Sequence, residues 1–478
     1  MKKISLGNIL IYFPILSLIA VYLFLTPNYS LTWDFPYHFT AGLYRLGEAK
    51  NPIYNTYAPY GIFAEIVPIA FSRVFPASWF PNSYLLYVVL TGSIGVIYFF
   101  RFLKEAFGKK IALLSTVTLL LMPRFVGHLH TNIKDVPTAA FFLITAYYFY
   151  QYLQKGKLKY ALFSIFFEIL AVNTKFNILQ LFPVFILWII FHYYAYAKKT
   201  KKGKKIIFQS IVFLASLIVI PFSVWILYCF RWLNQLASTY KDIYATLLLI
   251  NPFSYTYAFK QFIVTTPIPI LLFFPFGLFV LGKKIIKDYN EASFFFLLLF
   301  FYTLFKYPIL RLPLIDDIRY FIEIYYPLSL AFVLGVNLFS KKFTPYVYTI
   351  VFIFLIYTLF IHHPYQINYF NFLAPAGKDG DFWAASYKET FAYVNSTAPK
   401  GAIVSAPLAR ELAAMYIRRD LAQGLNSRPP EESDIVLLLN RPSIYRLWNA
   451  ENFYASHTPS KIISDPAGNP LLFIYFNH

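Results

Sequence analysis

Apolar residues in this chain come in long runs rather than at the spacing of a single helix face. Eleven runs stand out, at about 8–27, 83–102, 111–127, 137–153, 160–173, 178–197, 206–228, 266–282, 293–306, 321–339 and 344–362. Runs of about 15–22 residues suit a helix crossing a bilayer's ~30 Å hydrocarbon core. The pattern predicts a polytopic α-helical membrane protein with about 11 transmembrane helices. The third and fifth runs are short or interrupted, so tilted or partly re-entrant segments are expected there.

The polar intervals alternate in kind. Lysines crowd one set: Lys104, Lys109 and Lys110; Lys155, Lys157 and Lys159; Lys198 through Lys205; Lys283, Lys284 and Lys287; Lys341 and Lys342. This is the bias of cytoplasmic loops. With the N-terminus inside, every cluster falls on the cytoplasmic side. The odd number of spans then leaves the tail extracytoplasmic, in an inner or plasma membrane. The start, Met-Lys-Lys followed by an apolar stretch, is built like a signal peptide. It lacks a small-x-small cleavage site and reads as a retained first span.

From His363 the composition turns soluble. Residues 386–399 and "ARELAAMYI" read as helices, "GAIVSAPL" and "DIVLLLN" as buried strands, and "KIISDPAGNPLLFIYF" as a hairpin. The expected organisation is a membrane domain, 1–362, and a small α/β domain, 363–478. Such alternation often marks a doubly wound sheet, but no G-x-G-x-x-G is present, so no nucleotide site is predicted.

Composition narrows the class. The 478 residues are 58% hydrophobic and 13% charged, about half the charge of soluble domains. The net charge of +20 resides largely in the lysine loops, which argues against a nucleic-acid partner. The single cysteine, Cys229, allows no intramolecular disulfide.

Candidate chemistry sits in the lysine-poor intervals, chiefly the outer loops at about 28–82 and 124–137. "TWDFPYHFTAG" places Asp34 and His38 at a membrane boundary. Ionisable groups there are costly and tend to be functional. Pro27 and Pro36 argue against a regular helix around Asp34. A carboxylate on such a loop can take a proton from a hydroxyl nucleophile, or simply cap the next segment. "HLHTNIKDVP" gathers His128, His130, Lys134 and Asp135. Asp135 could cap the fourth span. The two histidines at i, i+2 are a weak metal signal, since a site wants three or four ligands. A divalent cation is possible, and its ligands are unknown.

These stretches resemble a family. "HTNIKDVP", "NTKFNILQLFP", "RYFIEIYYPL" and "HHPYQINYFNFLAPAGKDGDFWAASYKE" are similar to bacterial glycosyltransferase family 39. That family lies within the GT-C superfamily, beside protein O-mannosyltransferases and aminoarabinose transferases. The resemblance runs from about residue 8 to 395. Two departures stand out. Relatives often carry an acidic pair where this chain has the lone Asp34, and a glycine after D-Y-W where it has Ala384.

The resemblance implies a GT-C-like membrane fold and a polyprenyl-phosphate-linked sugar donor. The acceptor would be an extracytoplasmic protein, lipid or envelope glycan. Direct displacement with one base implies inversion. Asp34 would be the base, and Asp135 would orient the acceptor or a neighbouring histidine, or bind a cation. His38, His128, His130, Lys134, Lys175, Lys260, Arg319 and Tyr320 would contact substrate. A phosphate needs cations at the boundary, for which Lys306 and Arg311 are further candidates, and Arg319 of the "RY" pair is favoured. Two other classes share some of these features. A flippase of lipid-linked sugars needs neither the soluble tail nor paired loop acids, and a non-catalytic scaffold would release no lipid phosphate.

Overall fold

The computed structural model of the protein describes residues 11–50, 60–200, 204–230, 253–375 apart from 313, 315 and 316, and 378–477 apart from 423, 424 and 426–428. Residues 241, 245 and 248 are described singly. The predicted loop at about 229–265 lies mostly outside the described residues.

The described chain opens with a short apolar helix, α1 (Phe13–Leu25), followed by α2 (Phe35–Arg45) and α3 (Ile62–Ser72). The helix directly after Asp34 corrects the expectation drawn from the prolines. Pro27 lies in a 3-10 turn, Thr26–Asn28, and Pro36 in the first turn of α2. A missing N–H costs nothing there, because that donor has no intrahelical partner. Arg45 and Glu65 pair between α2 and α3, both side chains buried.

The bundle continues with α4 (Asn82–Phe107), α5 (Lys109–Leu121) and α6 (Pro123–Thr131). The third predicted span is the α5–α6 pair, bent by 68° at Met122–Pro123. Proline cannot continue the α5 hydrogen-bond ladder, which accounts for the break. Next come α7 (Asp135–Lys155), α8 (Leu158–Val172), α9 (Phe182–Thr200) and α10 (Lys204–Cys229). After them follow α11 (Tyr257–Thr265), α12 (Ile268–Asp288), α13 (Glu291–Leu310), α14 (Tyr325–Val336) and α15 (Thr344–Ile361).

Helices α12 and α14 pack closely. A Cβ on Gly277 would lie 1.7 Å from the Ala331 carbonyl oxygen, and one on Gly335 2.0 Å from that of Phe273. Small residues let membrane helices approach to backbone contact.

By length and composition, seven described helical segments can cross a membrane, or eight if the bent α5–α6 pair counts as one span. Helices α1 and α8 are short, at 13 and 15 residues. Helix α7 is long enough, but Tyr147, Tyr148, Tyr150, Gln151 and Tyr152 dilute its apolarity.

The tail carries α16 (Tyr387–Thr397), β1 (Val404–Ser405), α17 (Arg410–Tyr416), β2 (Ile435–Leu439), α18 (Glu451–Ser456), β3 (Lys461–Ser464) and β4 (Pro470–Phe476). Sheet order is β1-β2-β4-β3. Only β1 and β2 run parallel, with Val404 opposite Ile435. Strand β4 is antiparallel to both β2 and β3. This mixed sheet replaces the expected doubly wound one, because the β3–β4 hairpin inserts β4 next to β2. Every residue of β2 is buried.

The tail is tied to the bend of α6. Arg124, fully buried, donates from Nε to the Tyr369 carbonyl at 2.6 Å and from Nη1 to that of Ile367. Gly127 sits so close to this segment that a Cβ would lie 2.2 Å from the Ile367 nitrogen.

Candidate active site

The site forms where α2, α7, the turn after α8, and the 3-10 segment Asp317–Ile324 converge. Asp34 stands at the N-cap of α2 but its side chain makes no capping bond. The carboxylate turns instead to two cations. Lys134 Nζ and Arg319 Nη1 each donate to Asp34 Oδ2 at 2.6 Å. The three side chains are 5–13% exposed. Lys134 Nζ also lies 3.1 Å from His38 Nε2 and 4.5 Å from the centre of the Tyr60 ring.

The electrostatics follow. Burial alone would raise the Asp34 pKa, but Lys134 and Arg319 overcome it and hold the carboxyl well below the usual range. Burial would discharge Lys134, yet Asp34 keeps it charged. Burial, then the Lys134 ammonium, push the His38 pKa far below the ordinary imidazole value. His38 is therefore neutral and accepts from Lys134.

Asp135 forms a second centre. It occupies the first turn of α7, and like Asp34 it does not cap. Lys175 Nζ donates to Asp135 Oδ1 at 2.5 Å, and Asn132 Nδ2 to Oδ2 at 3.0 Å. Asn132 Oδ1 accepts from the Asp135 backbone N–H at 2.9 Å, closing a small ring. The Tyr320 ring lies 4.8 Å from both Lys175 Nζ and the Arg319 guanidinium carbon, and so joins the two centres.

These groups border a cavity of about 400 Å³. Lys134, Asp135, Lys175, Arg319, Tyr320 and Tyr60 line it, together with a further pair, Lys306 and Glu323. Phe176, Ile178, Leu312 and Leu314 provide an apolar flank. Asp34 lies behind Lys134 and Arg319, not on the cavity wall.

The tail reaches Arg319 from outside the cavity lining. Trp383 is 1% exposed, its ring 4.9 Å from the Arg319 guanidinium carbon and 6.0 Å from the His128 ring. Asp381 shapes that turn by accepting from the backbone N–H groups of Trp383, Ala385 and Ser386 at 2.8–3.3 Å. Ala384 has φ 60°. A left-handed residue here explains why relatives often carry glycine, and a Cβ costs about 1–2 kcal/mol in that region.

Not every predicted residue joins the site. His130 is packing: it stacks on Tyr29 at 3.8 Å and reaches the Val126 and Tyr22 carbonyls. Lys260 is exposed on α11, and Arg311 is exposed at the end of α13; neither lines the cavity. His128 is buried beside Asn132, off the cavity wall. Among the described residues no group of three or more His, Cys, Asp or Glu could hold a metal ion, so the possible divalent cation has no fitting site there. Tyr60, Glu323 and Trp383 were missed as site residues. Glu323 and Trp383 both lie inside the stretches that carry the family resemblance, which was the available signal.

Residues 78–225 match the family described as dolichyl-phosphate-mannose-protein mannosyltransferase. No curated protein sequence matches the chain. Among solved structures it is similar to ArnT from Cupriavidus metallidurans bound to undecaprenyl phosphate. That match has 10% identity and TM-score 0.58, over 98% of both chains. This chain has the GT-C fold. The apo ArnT structure agrees, at 10% identity and TM-score 0.54 over 96% of this chain and 97% of that one. The apo oligosaccharyltransferase of Archaeoglobus fulgidus matches at 11% identity and TM-score 0.50, over 88% and 65%. At these identities the likeness is one of fold, a bundle of apolar helices followed by a small sheet.

Proposed function

We propose that this GT-C protein is an inverting glycosyltransferase that moves a sugar from a polyprenyl phosphate to an extracytoplasmic protein, lipid or envelope glycan. The observation that carries the reading is one cavity with a cationic wall, two buried acid–base centres and an apolar flank. A phosphodiester needs the cations, and an isoprenoid tail needs the apolar flank.

The two centres divide the work. The donor phosphate competes with Asp34 for Lys134 and Arg319. Taking those cations relieves the hold on the Asp34 carboxylate and raises its basicity. As Lys134 and Arg319 turn to the phosphate they uncover Asp34 to the cavity, and it accepts the proton of the acceptor hydroxyl as that oxygen attacks the anomeric carbon. The bond from that carbon to the phosphate oxygen breaks, and polyprenyl phosphate leaves without needing a proton. A single displacement inverts the anomeric centre. Asp135, held by Lys175 and Asn132, positions the acceptor.

The topology belongs to the same reading: about eleven spans, the N-terminus cytoplasmic, and residues 363–478 a separate extracytoplasmic α/β domain. The described lysine clusters lie at helix ends opposite those bearing Asp135, Lys175 and Lys306, which supports it.

Purified protein given a polyprenyl-phosphate sugar and a cell-envelope extract should release free polyprenyl phosphate. Movement of intact donor across a vesicle without cleavage would favour a flippase instead and overturn the assignment.

A further inference from the structure

Tyr60 lines the cavity, yet the mechanism above gives it no part. It stands just ahead of α3, and neighbouring elements fix its backbone. Its N–H donates to Glu65 Oε1 at 3.1 Å. Glu65 is fully buried, pairs with Arg45 of α2, and accepts at Oε2 from the Tyr228 hydroxyl of α10 at 3.1 Å. The Tyr60 carbonyl accepts from Trp225 Nε1 at 3.4 Å. Gly61, at φ 140°, lies so close to the turn after α8 that a Cβ would sit 2.1 Å from the Asn173 carbonyl oxygen. The Phe63 N–H donates to that same oxygen at 3.0 Å.

That seat aims the ring at one cation. The ring centre lies 4.5 Å from Lys134 Nζ and 4.5 Å from the His38 ring. An ammonium has three N–H donors. Asp34 Oδ2 at 2.6 Å, His38 Nε2 at 3.1 Å and the Tyr60 face give one station for each. Under the donor reading above, Lys134 exchanges Asp34 for the lipid phosphate. Neither His38 nor the ring need let go, so the ammonium turns about a fixed point on the cavity wall. We infer that Tyr60 is a positioning residue: its ring face, fixed from behind by Glu65, holds the Lys134 ammonium where the lipid phosphate meets it. This rests on the donor reading.

A ring face suits this task better than a second carboxylate would. It attracts a cation through its quadrupole, without a formal charge. It therefore holds the ammonium and adds no anion to repel the phosphate. Lysine carries its charge on a flexible four-carbon stem, and immobilising such a side chain during binding costs affinity. The ring meets that cost in the free protein. An aliphatic residue of like size would fill the space and leave the ammonium to be ordered by the phosphate.

The test titrates purified full-length protein with undecaprenyl phosphate. Tyr60→Leu keeps bulk, removes the π face, and should weaken binding about fivefold. Tyr60→Phe keeps the face and should recover wild-type affinity within about twofold. Tyr60→Gln gives the same reading as the leucine variant should leucine impair folding. In a Lys134→Met background, Tyr60→Leu should cost nothing further, because the ring has no ammonium to hold. A loss that persists without Lys134 would make the ring mere packing. A Tyr60→Phe loss as large as that of Tyr60→Leu would assign the hydroxyl instead, and either result overturns the inference. Unchanged affinity in Tyr60→Leu overturns it too, while leaving the donor reading in place. Failure of the wild type to bind undecaprenyl phosphate overturns both.

Discussion

Asp34 and Arg319 lie 285 positions apart in sequence and meet at 2.6 Å. Their contact joins the start of α2 to the 3-10 segment before α14. Lys134 completes the centre from the start of α7. Losing both cations would leave the Asp34 carboxylate buried without a counter-charge, which costs several kcal/mol. The arrangement is one that an arriving phosphate can unlock.

Replacing Asp34 by Asn keeps shape and removes basicity. Turnover should fall about a hundred- to ten-thousandfold, the usual contribution of a positioned base. Binding of undecaprenyl phosphate should hold or tighten, since Lys134 and Arg319 lose a competitor. Single-turnover kinetics at equal expression check this, and activity within a few-fold of wild type would hand the role to Asp135.

Arg319→Ala should weaken donor binding about ten- to a hundredfold, as expected for one lost charge-assisted pair. It should also change the pH profile. Arg319 is one of the cations that depress the Asp34 pKa. Without it that pKa rises toward the ordinary carboxylate value, so the acid limb of the rate profile moves to higher pH. An unshifted acid limb would mean that Asp34 is not the titrating base.

Lys175→Met strands the buried Asp135 carboxylate, a change of about 3–5 kcal/mol. The melting temperature should drop sharply. Adding Asp135→Asn should restore most of it and none of the turnover. Recovery of turnover in the double variant would reduce this pair to scaffolding.

Gly127→Ala should be poorly tolerated, since its Cβ would meet the Ile367 nitrogen at 2.2 Å. Overpacking of this kind costs typically 1–3 kcal/mol. Limited proteolysis should then cut between α15 and α16 more readily than in wild type.

A reporter that is active only in the cytoplasm, fused after His478, should stay dark. A bright signal would put the tail on the cytoplasmic side and break the proposed topology.

The apolar runs were legible because bilayer thickness imposes a length on them, yet of the eleven only seven or eight become described helical segments long and apolar enough to cross. The sequence also showed Asp34, Asp135, Lys134 and Arg319, because charges at a membrane edge are rare enough to notice. Partners were another matter. His130 and His38 are both histidines beside an acidic loop, yet one packs on Tyr29 and the other accepts from Lys134. Lys260 and Lys175 both follow apolar stretches, and only the course of the backbone decides which one faces inward. Glu323 sits in an apolar segment where a single acid gives no periodicity to read. Its pairing emerges only when Lys306, from the preceding helix, is placed across from it.

Arg124 and Gly127 make the bend of α6 and the start of the tail a single piece of masonry. Trp383, which packs on Arg319, hangs from that same tail. A tail so fixed is a door jamb rather than a door. Under the proposed function, donor lipid and acceptor would enter past other elements, and cross-linking the tail to α6 should leave turnover intact.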